Sequence, residues 1–398
     1  MTATDAVPES DVTAIVQALA AKIRAKYVIK GADADHIAAA VEAKLETGAY
    51  VNLTGDELAS ALTNDLRTVN GDKHLSVTYS PLQTAVEEKP TQKQFYNDDG
   101  HEVDKDGNLI PDEPPSDDAG YLMFVEHVKN QGTGLVGLEV LPGNIGYINL
   151  SMFAPKNLST PVFQMAMTHL QHTRGLIIDV RNNTGGDDSG ELISYFLTDR
   201  VHYKTIYWRV QDINQKWFTN PNVPGPRYNT NKPEDEPTRR PVYVLTGPET
   251  FSSAEAFTFF MKDLQLAQTV GGTTAGGGNP CGFFRIGHDH FTASISIGRS
   301  YSPKTGKGWE KVGVAADISC PAKEAKEMAH LLLLKHVQED LKAIEKLSRA
   351  QNILLRHEVA AKKAFVKKVT TQTEVSTSAD GGKTTRTTTK TEYKPVAE

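Results

Sequence analysis

The sequence predicts an α/β core built on parallel strands, preceded by a small helical bundle and followed by a helical C-terminal extension. Three observations predict it. From Gly120 onward, strand-like and helix-like segments alternate, which is the order that yields parallel strands joined by helices. Two of those strands, Gly175–Val180 and Val242–Leu245, are short continuous apolar runs, as buried strands are. The first 70 residues instead carry apolar side chains every three or four positions, the period of a helix face.

The elements follow in order. Ser10 or Asp11 can cap a helix whose stripe is Val12, Ile15, Val16, Leu19, Ile23 and Tyr27. A second stripe carries Ile37, Val41 and Leu45, and a third carries Leu58, Leu62 and Leu66. Short amphipathic helices can bury such stripes only against each other or a neighbour, so residues 1–72 read as a helical bundle. Residues 73–84 carry a strand, Leu75–Tyr79. Residues 85–119 are rich in Asp, Glu, Pro and Gly, have little to bury, and read as a polar surface insertion. Within it, EVDKDGNLIPDE partly resembles a calcium loop through Asp104, Asp106, Gly107 and Glu113. A Glu stands where the first Asp belongs and Pro111 would block the exiting helix, so a solvated acidic turn is the expectation.

Residues 120–321 form the α/β core. Val136–Leu141 and Ile145–Leu150 read as strands joined by the turn Pro142-Gly143-Asn144. Val162–Leu170 and Ser189–Leu197 read as helices, Tyr203–Val210 as a strand, and Asn220–Pro241 as a loop. A helix is expected from about Ser253 to Leu264. Residues 322–369 contain no Gly or Pro and read as helix, in one piece or two. Residues 370–398 are dominated by Thr. They fit a polar hairpin turning at Asp380-Gly381-Gly382 and equally a tail with nothing to bury.

Composition narrows the function. With 39% hydrophobic and 23% charged residues, the 398-residue chain is globular. The balance of 43 basic and 49 acidic residues argues against a nucleic-acid partner. Two cysteines, Cys281 and Cys320, make neither a disulfide framework nor a zinc spacing. No run approaches the roughly 20 apolar residues of a membrane span, and the acids at Asp5, Glu9 and Asp11 do not fit a secretory leader. A cytoplasmic address and no membrane association are expected, with neither cofactor nor metal.

Two segments carry the chemistry. In VYVLTGPETFSSAEAFTFF an apolar strand ends, a short loop follows, and Ser252 arrives where a helix starts. A serine there stands above the sheet, beside backbone N–H groups able to stabilise an oxyanion. Ser252 with Glu255 is also a capping box, a role requiring no catalysis. The second segment, DVRNNTGGDDSG, follows a buried strand; Gly185 and Gly186 permit a backbone whose N–H groups point into a cleft. A serine hydroxyl needs a base. Of the twelve histidines, His74 in GDKHLSV stands at a polar turn opening a strand, whereas His288 and His290 offer only an incomplete metal site.

Four segments in order resemble the tail-specific (C-terminal processing) serine protease family: GDKHLSV (71–77), DVRNNTGG (179–186), TFSSAEA (250–256) and GWEKVGVAADI (308–318). The last follows GGTTAGGGNP (271–280), which is similar to the family's glycine-rich loop. The likeness is closer to the branch of the interphotoreceptor retinoid-binding protein and the tricorn core, and spans roughly residues 10 to 335. It implies a ClpP/crotonase-like αβ spiral core, a peptide or protein substrate, and a triad of Ser252 as nucleophile, His74 as base and Glu310 as orienting carboxylate. It also implies an oxyanion hole from the N–H groups of Ser253 and Gly185, with Gly186 as the adjacent alternative. The family's other branch uses a lysine shortly after the serine; no lysine lies between Lys262 and Lys304. No PDZ-like segment is visible between Tyr79 and Asn144. The C-terminal region is left with two roles, assembly into a homo-oligomer or covering the cleft. Two other readings compete: a binder of an apolar ligand or peptide on the same scaffold, and an acyl-CoA-type hydrolase or isomerase, which would need no ordered His, Ser and Glu.

Overall fold

A computed structural model describes residues 5–81, 95–96, 102–103, 119–229, 240–343, 365–377 and 383–395. The carboxylates of the calcium-loop-like segment and the turn at 380–382 lie outside these residues. The chain opens with α1 (Glu9–Lys26), α2 (Ala32–Glu46), α3 (Gly55–Asn70), β1 (Ser76–Tyr79), β2 (Phe95–Tyr96), β3 (Glu102–Val103) and α4 (Ala119–Asn130). It continues through β4 (Leu135–Leu141), β5 (Ile145–Leu150), α5 (Lys156–Leu170), β6 (Gly175–Asp179), α6 (Gly190–Ser194), β7 (His202–Trp208), β8 (Ile213–Phe218) and β9 (Val242–Thr246). Then follow α7 (Ser253–Asp263), β10 (Gln268–Gly271), β11 (Cys281–Ile286), β12 (His288–Ser296), β13 (Gly298–Tyr301), β14 (Ile318–Ser319), α8 (Ala325–Ala343), β15 (Phe365–Thr377) and β16 (Lys383–Pro395). The fold is mixed α/β with N-terminal helices, as the sequence predicts.

The elements group into two units, each assembled from separate stretches of chain. The first comprises residues 1–130, 200–219 and 276–313. Its three helices bury the predicted stripes, including Ile15, Leu19, Ile23, Ile37, Val41, Leu58, Leu62 and Leu66, in one core. That core runs on into Val77 of β1 and Phe291, Ala293 and Ile295 of β12. The bundle therefore closes against strands from far along the chain, in a sheet of order β1-β12-β11. β1 pairs antiparallel with β12, Ser76 opposite Ser294. A second sheet has the order β13-β7-β8.

The second unit comprises residues 131–199, 220–275 and 314–398. Its sheet has the order β15-β16-β14-β10-β9-β6-β5-β4. From β14 to β5 the pairs are parallel, and β4 returns antiparallel on β5 across the Pro142-Gly143-Asn144 turn. Ile145, Ile177, Leu245 and Val270 meet Ala325, Met328, Ala329 and Leu333 of α8 in a buried core. The carboxyl ends of β6 and β9 carry the loops 180–189 and 247–252, where an α/β sheet of this kind presents its chemistry.

Two expectations differ in detail. The helix expected at Ser189–Leu197 is a single short one, Gly190–Ser194, because the following residues leave helical hydrogen bonding at Tyr195. Residues 365–369, expected as helix, open β15 instead. Phe365, Val366 and Val369 run into a Thr-rich stretch, and β-branched and aromatic residues fit a pleated ladder better than a helix. The Thr-rich segment pairs antiparallel in full register, Phe365 opposite Pro395 to Thr377 opposite Lys383. Among the described residues no helix is long and apolar enough to cross a membrane.

Candidate active site

In the first unit the loop after α3 delivers the histidine. A capping box of Thr54 and Glu57 starts α3, and Gly71, left-handed at φ 74°, ends it. The chain then makes two side-chain-bridged turns. Asn70 Oδ1 accepts the Asp72 N–H at 3.0 Å, and Asp72 Oδ1 accepts the His74 N–H at 2.9 Å. Such Asx turns fix a loop without a regular ladder. His74 thus enters β1 with its position set by Asp72, and both are buried.

Glu310 reaches the same place from the loop after β13. The buried Trp309 anchors that loop by donating its indole N–H to the Gly277 carbonyl at 3.0 Å. Glu310 Oε2 accepts the N–H groups of Gly278 at 2.7 Å and Asn279 at 3.0 Å, so the glycine-rich loop grips one carboxylate oxygen. One side-chain donor atom each from Asp72, His74 and Glu310 lies within 4.8 Å of the others. The electrostatics follow from burial. It pushes the Glu310 carboxyl up to about 7, helped by the charge of Asp72 and opposed by the two backbone N–H groups and Lys311. Burial also pushes the His74 imidazole below its ordinary value, against the attraction of Asp72 and with the help of Arg67. Burial thus disfavours the charged form of both His74 and Glu310.

In the second unit β9 ends at Thr246 and the chain turns into α7 through Ser252. Thr250, fully buried, ties this corner to the neighbouring loop. Its hydroxyl donates to the Val180 carbonyl at 2.8 Å and accepts the Gly247 N–H at 3.0 Å. The Phe251 N–H donates to the Asn183 carbonyl at 3.0 Å. Ser252 holds φ 53°, ψ −121°, a backbone that non-glycine residues rarely adopt and that marks a sharp strand-to-helix corner. The Ser252 N–H donates to Glu255 Oε2 at 3.1 Å, and the Thr274 hydroxyl donates to Glu255 Oε1 at 2.5 Å. The capping relation expected from Ser252 and Glu255 thus coexists with a half-buried corner: the fully buried Glu255 holds the strained backbone from below.

Gly185 and Gly186 lie against this corner at φ 104° and φ 122°. A Cβ on Gly185 would meet the Ser252 Cβ at 2.7 Å, so only glycine fits there. The Gly185 N–H already donates to Asn183 Oδ1 at 2.9 Å. Phe153 bridges this loop through the Gly185 carbonyl and the Asp187 N–H, which leaves the Gly186 N–H outside that ladder. The Gly186 carbonyl accepts the Ser253 hydroxyl at 3.0 Å. Of the two glycines, Gly185 has its N–H bonded to Asn183 and makes the close approach to Ser252.

The first unit brings His74 and Glu310 together, and the second brings Ser252, Ser253, Gly185 and Gly186 together. Lys262 is occupied: its ammonium meets Asp317 at 2.7 Å and the Ala315 carbonyl at 2.9 Å, which fits structural duty rather than that of a base. Asp72, Asn183 and Glu255 were not singled out from sequence as parts of the site. The signal for Asp72 and Asn183 was their place two residues before His74 and Gly185, the spacing of an Asx turn.

Comparison with known proteins defines the class first: both units' sequences match models of peptidases. The model of peptidase family S41 matches residues 144–320. The model of the N-terminal domain of peptidase S41 in eukaryotic IRBP matches residues 8–105. The chain belongs to peptidase family S41. A CPAF mutant is similar at 11% identity and a TM-score of 0.51, covering 90% of this chain and 99% of that one. A protein from Parabacteroides merdae assigned as a peptidase is similar at 18% identity and a TM-score of 0.50, covering 82% and 97%. At these identities the likeness is one of fold. The photosystem II D1 C-terminal processing protease matches at 18% identity with a TM-score of 0.43, covering 79% and 94%.

One consequence of the corner's packing is directly measurable. Gly185→Ala is expected to lower peptidase activity by roughly a hundredfold, the scale of an ångström's displacement at a reacting group. It should cost only about 1–3 kcal/mol of stability from the forced backbone. Parallel kcat/KM and urea-midpoint measurements check this; an activity equal to wild type would mean that the contact with Ser252 does not matter.

Proposed function

We propose that the chain is a serine peptidase acting on peptides or proteins through an acyl-enzyme, with Ser252, His74 and Glu310 as its triad. The observation that carries this reading is Ser252 itself: a serine held at positive φ on a strand-to-helix corner, braced by a buried Glu255 and pressed by Gly185. Strain of this kind persists where its surroundings enforce it, and it clusters at reactive groups. In the reading, His74 takes the Ser252 hydroxyl proton as the oxygen attacks the peptide carbonyl carbon. The tetrahedral oxyanion is held by the N–H groups of Ser253, at the first turn of α7, and Gly186. The C–N bond then breaks, His74 hands its proton to the leaving amine, and water removes the acyl group by the reverse sequence. Glu310 steadies the imidazolium. Each oxyanion donor is worth about 3–4 kcal/mol in such chemistry. The neutral state that burial gives His74 supports its role as base.

A fluorophosphonate probe tests the proposal. Wild type is expected to label at one serine, and Ser252→Ala to lose labelling while keeping its circular dichroism spectrum. Labelling that survives in the variant removes Ser252 from the mechanism. A folded wild type that never labels favours a ligand-binding protein on this scaffold.

A further inference from the structure

We propose that Asp72, His74 and Glu310 form a binding site for a single Zn2+-class cation, and that the bound ion switches the peptidase off by taking the histidine. The binding stands on the geometry of the first unit alone; the inhibition rests on the triad reading above. One donor atom of each residue lies within 4.8 Å of the others. Donors about 2.1 Å from a common tetrahedral centre lie roughly 3.4 Å apart, so side-chain motions of about an ångström close the site.

The two carboxylates are prepared as ligands in the same way. Each is tied by one oxygen to backbone N–H groups, Asp72 Oδ1 to His74 and Glu310 Oε2 to Gly278 and Asn279. Among the described residues each leaves its second oxygen, Asp72 Oδ2 and Glu310 Oε1, buried and outside any well-formed hydrogen bond, with the Tyr27 hydroxyl the neighbouring polar group that interacts with the Asp72 carboxylate. Asp72 is fully buried, and a buried acceptor left unmade is costly. Hydrogen bonds that orient ligating carboxylates from behind are a regular part of metal centres. Arg67 is engaged elsewhere, donating to the carbonyls of Leu75 and Lys73, and Lys311 acts on Glu310 only through its charge. One imidazole with two carboxylates suits Zn2+ and, by the usual order of affinities, disfavours Mg2+ and Ca2+, which want more oxygens. Three protein donors leave a fourth position for water.

The test uses the full chain stripped with chelator and titrated with ZnCl2 by calorimetry. One site per chain is expected, at least tenfold weaker in Asp72→Asn and in Glu310→Gln, and unchanged in the double variant His288→Ala, His290→Ala. Because a buried variant can fail to fold, X-ray absorption on the zinc-loaded wild type gives a second reading. Nitrogen and oxygen neighbours at about 2.0–2.2 Å support the site, whereas a sulfur neighbour at about 2.3 Å would move the ion to Cys281 and overturn it. Absence of stoichiometric uptake, or uptake indifferent to Asp72 and Glu310, also overturns it. Zn2+ is further expected to cut fluorophosphonate labelling at least tenfold, with recovery on adding chelator. Uptake at the site with labelling unchanged keeps the cation site and sinks the role of His74 in the triad instead.

Discussion

His74→Ala is expected to lower kcat/KM for peptide hydrolysis by roughly a millionfold, the scale on which removing a triad histidine acts in serine peptidases. Lys262, the lysine that follows the serine, is held by Asp317. The pH profile of wild type carries the same claim in finer form. In the proposed mechanism the base works only when His74 is neutral, and burial pushes its titration below the ordinary range. In the same proposal the orienting carboxylate works only when ionised, and burial with Asp72 pushes Glu310 up to about 7. Activity is therefore expected to rise with pH through about 7, with Glu310 setting the acid limb. Asp72→Asn removes a negative neighbour, which eases ionisation of Glu310 and further discourages protonation of His74. Both changes move the acid limb to lower pH. Burial is the larger cause of the Glu310 shift, so the limb moves only part of the way. A limb that stays put in Asp72→Asn, or moves to higher pH, contradicts the assignment. The profile is taken in chelator so that no cation competes.

Glu255→Ala is expected to be the most destabilising single change near the serine, at about 3–5 kcal/mol. Its carboxylate is fully buried and holds both the Ser252 N–H and the Thr274 hydroxyl. Truncation leaves two buried donors unmade and opens a cavity beneath α7, two costs that add. Thr274 also accepts the Val314 N–H at 2.7 Å, so the damage spreads to the strand that follows. Chemical denaturation read by fluorescence measures the loss. Glu255→Gln keeps the shape and one acceptor, and is expected to recover more than half of it. A variant as stable as wild type would show that the strained serine corner supports itself.

Much of this was legible in the sequence because it rests on local rules. β4 and β5 announce themselves by apolar runs around Pro142-Gly143-Asn144, and the α1–α3 stripes repeat at helical spacing. Ser252 at the start of α7 is read from a strand, a short loop and a helix pattern in sequence. What stayed hidden is what depends on partners distant in sequence. β10 and β13 are only four residues each, and pairing with β9 and with β7 makes them strands. The Gly185 N–H donates to Asn183 Oδ1, a side-chain choice that no pattern of residue types reveals. Asp72 reads as a turn residue, and becomes part of a carboxylate pair only when the Glu310 loop arrives.

The pairing of β1 with β12 bears on how the protein is made. Leaving the ribosome, the first helices present Ile15, Leu19 and Ile23 long before Phe291 and Ile295 exist to cover them. The N-terminal half must wait, greasy side out, while most of the polypeptide is still being translated. Contacts so remote in sequence form slowly and leave the growing chain open to aggregation. Synthesis of this peptidase should accordingly lean on chaperones that shield the nascent N-terminus, and a messenger truncated before codon 290 should yield insoluble product rather than a smaller folded protein.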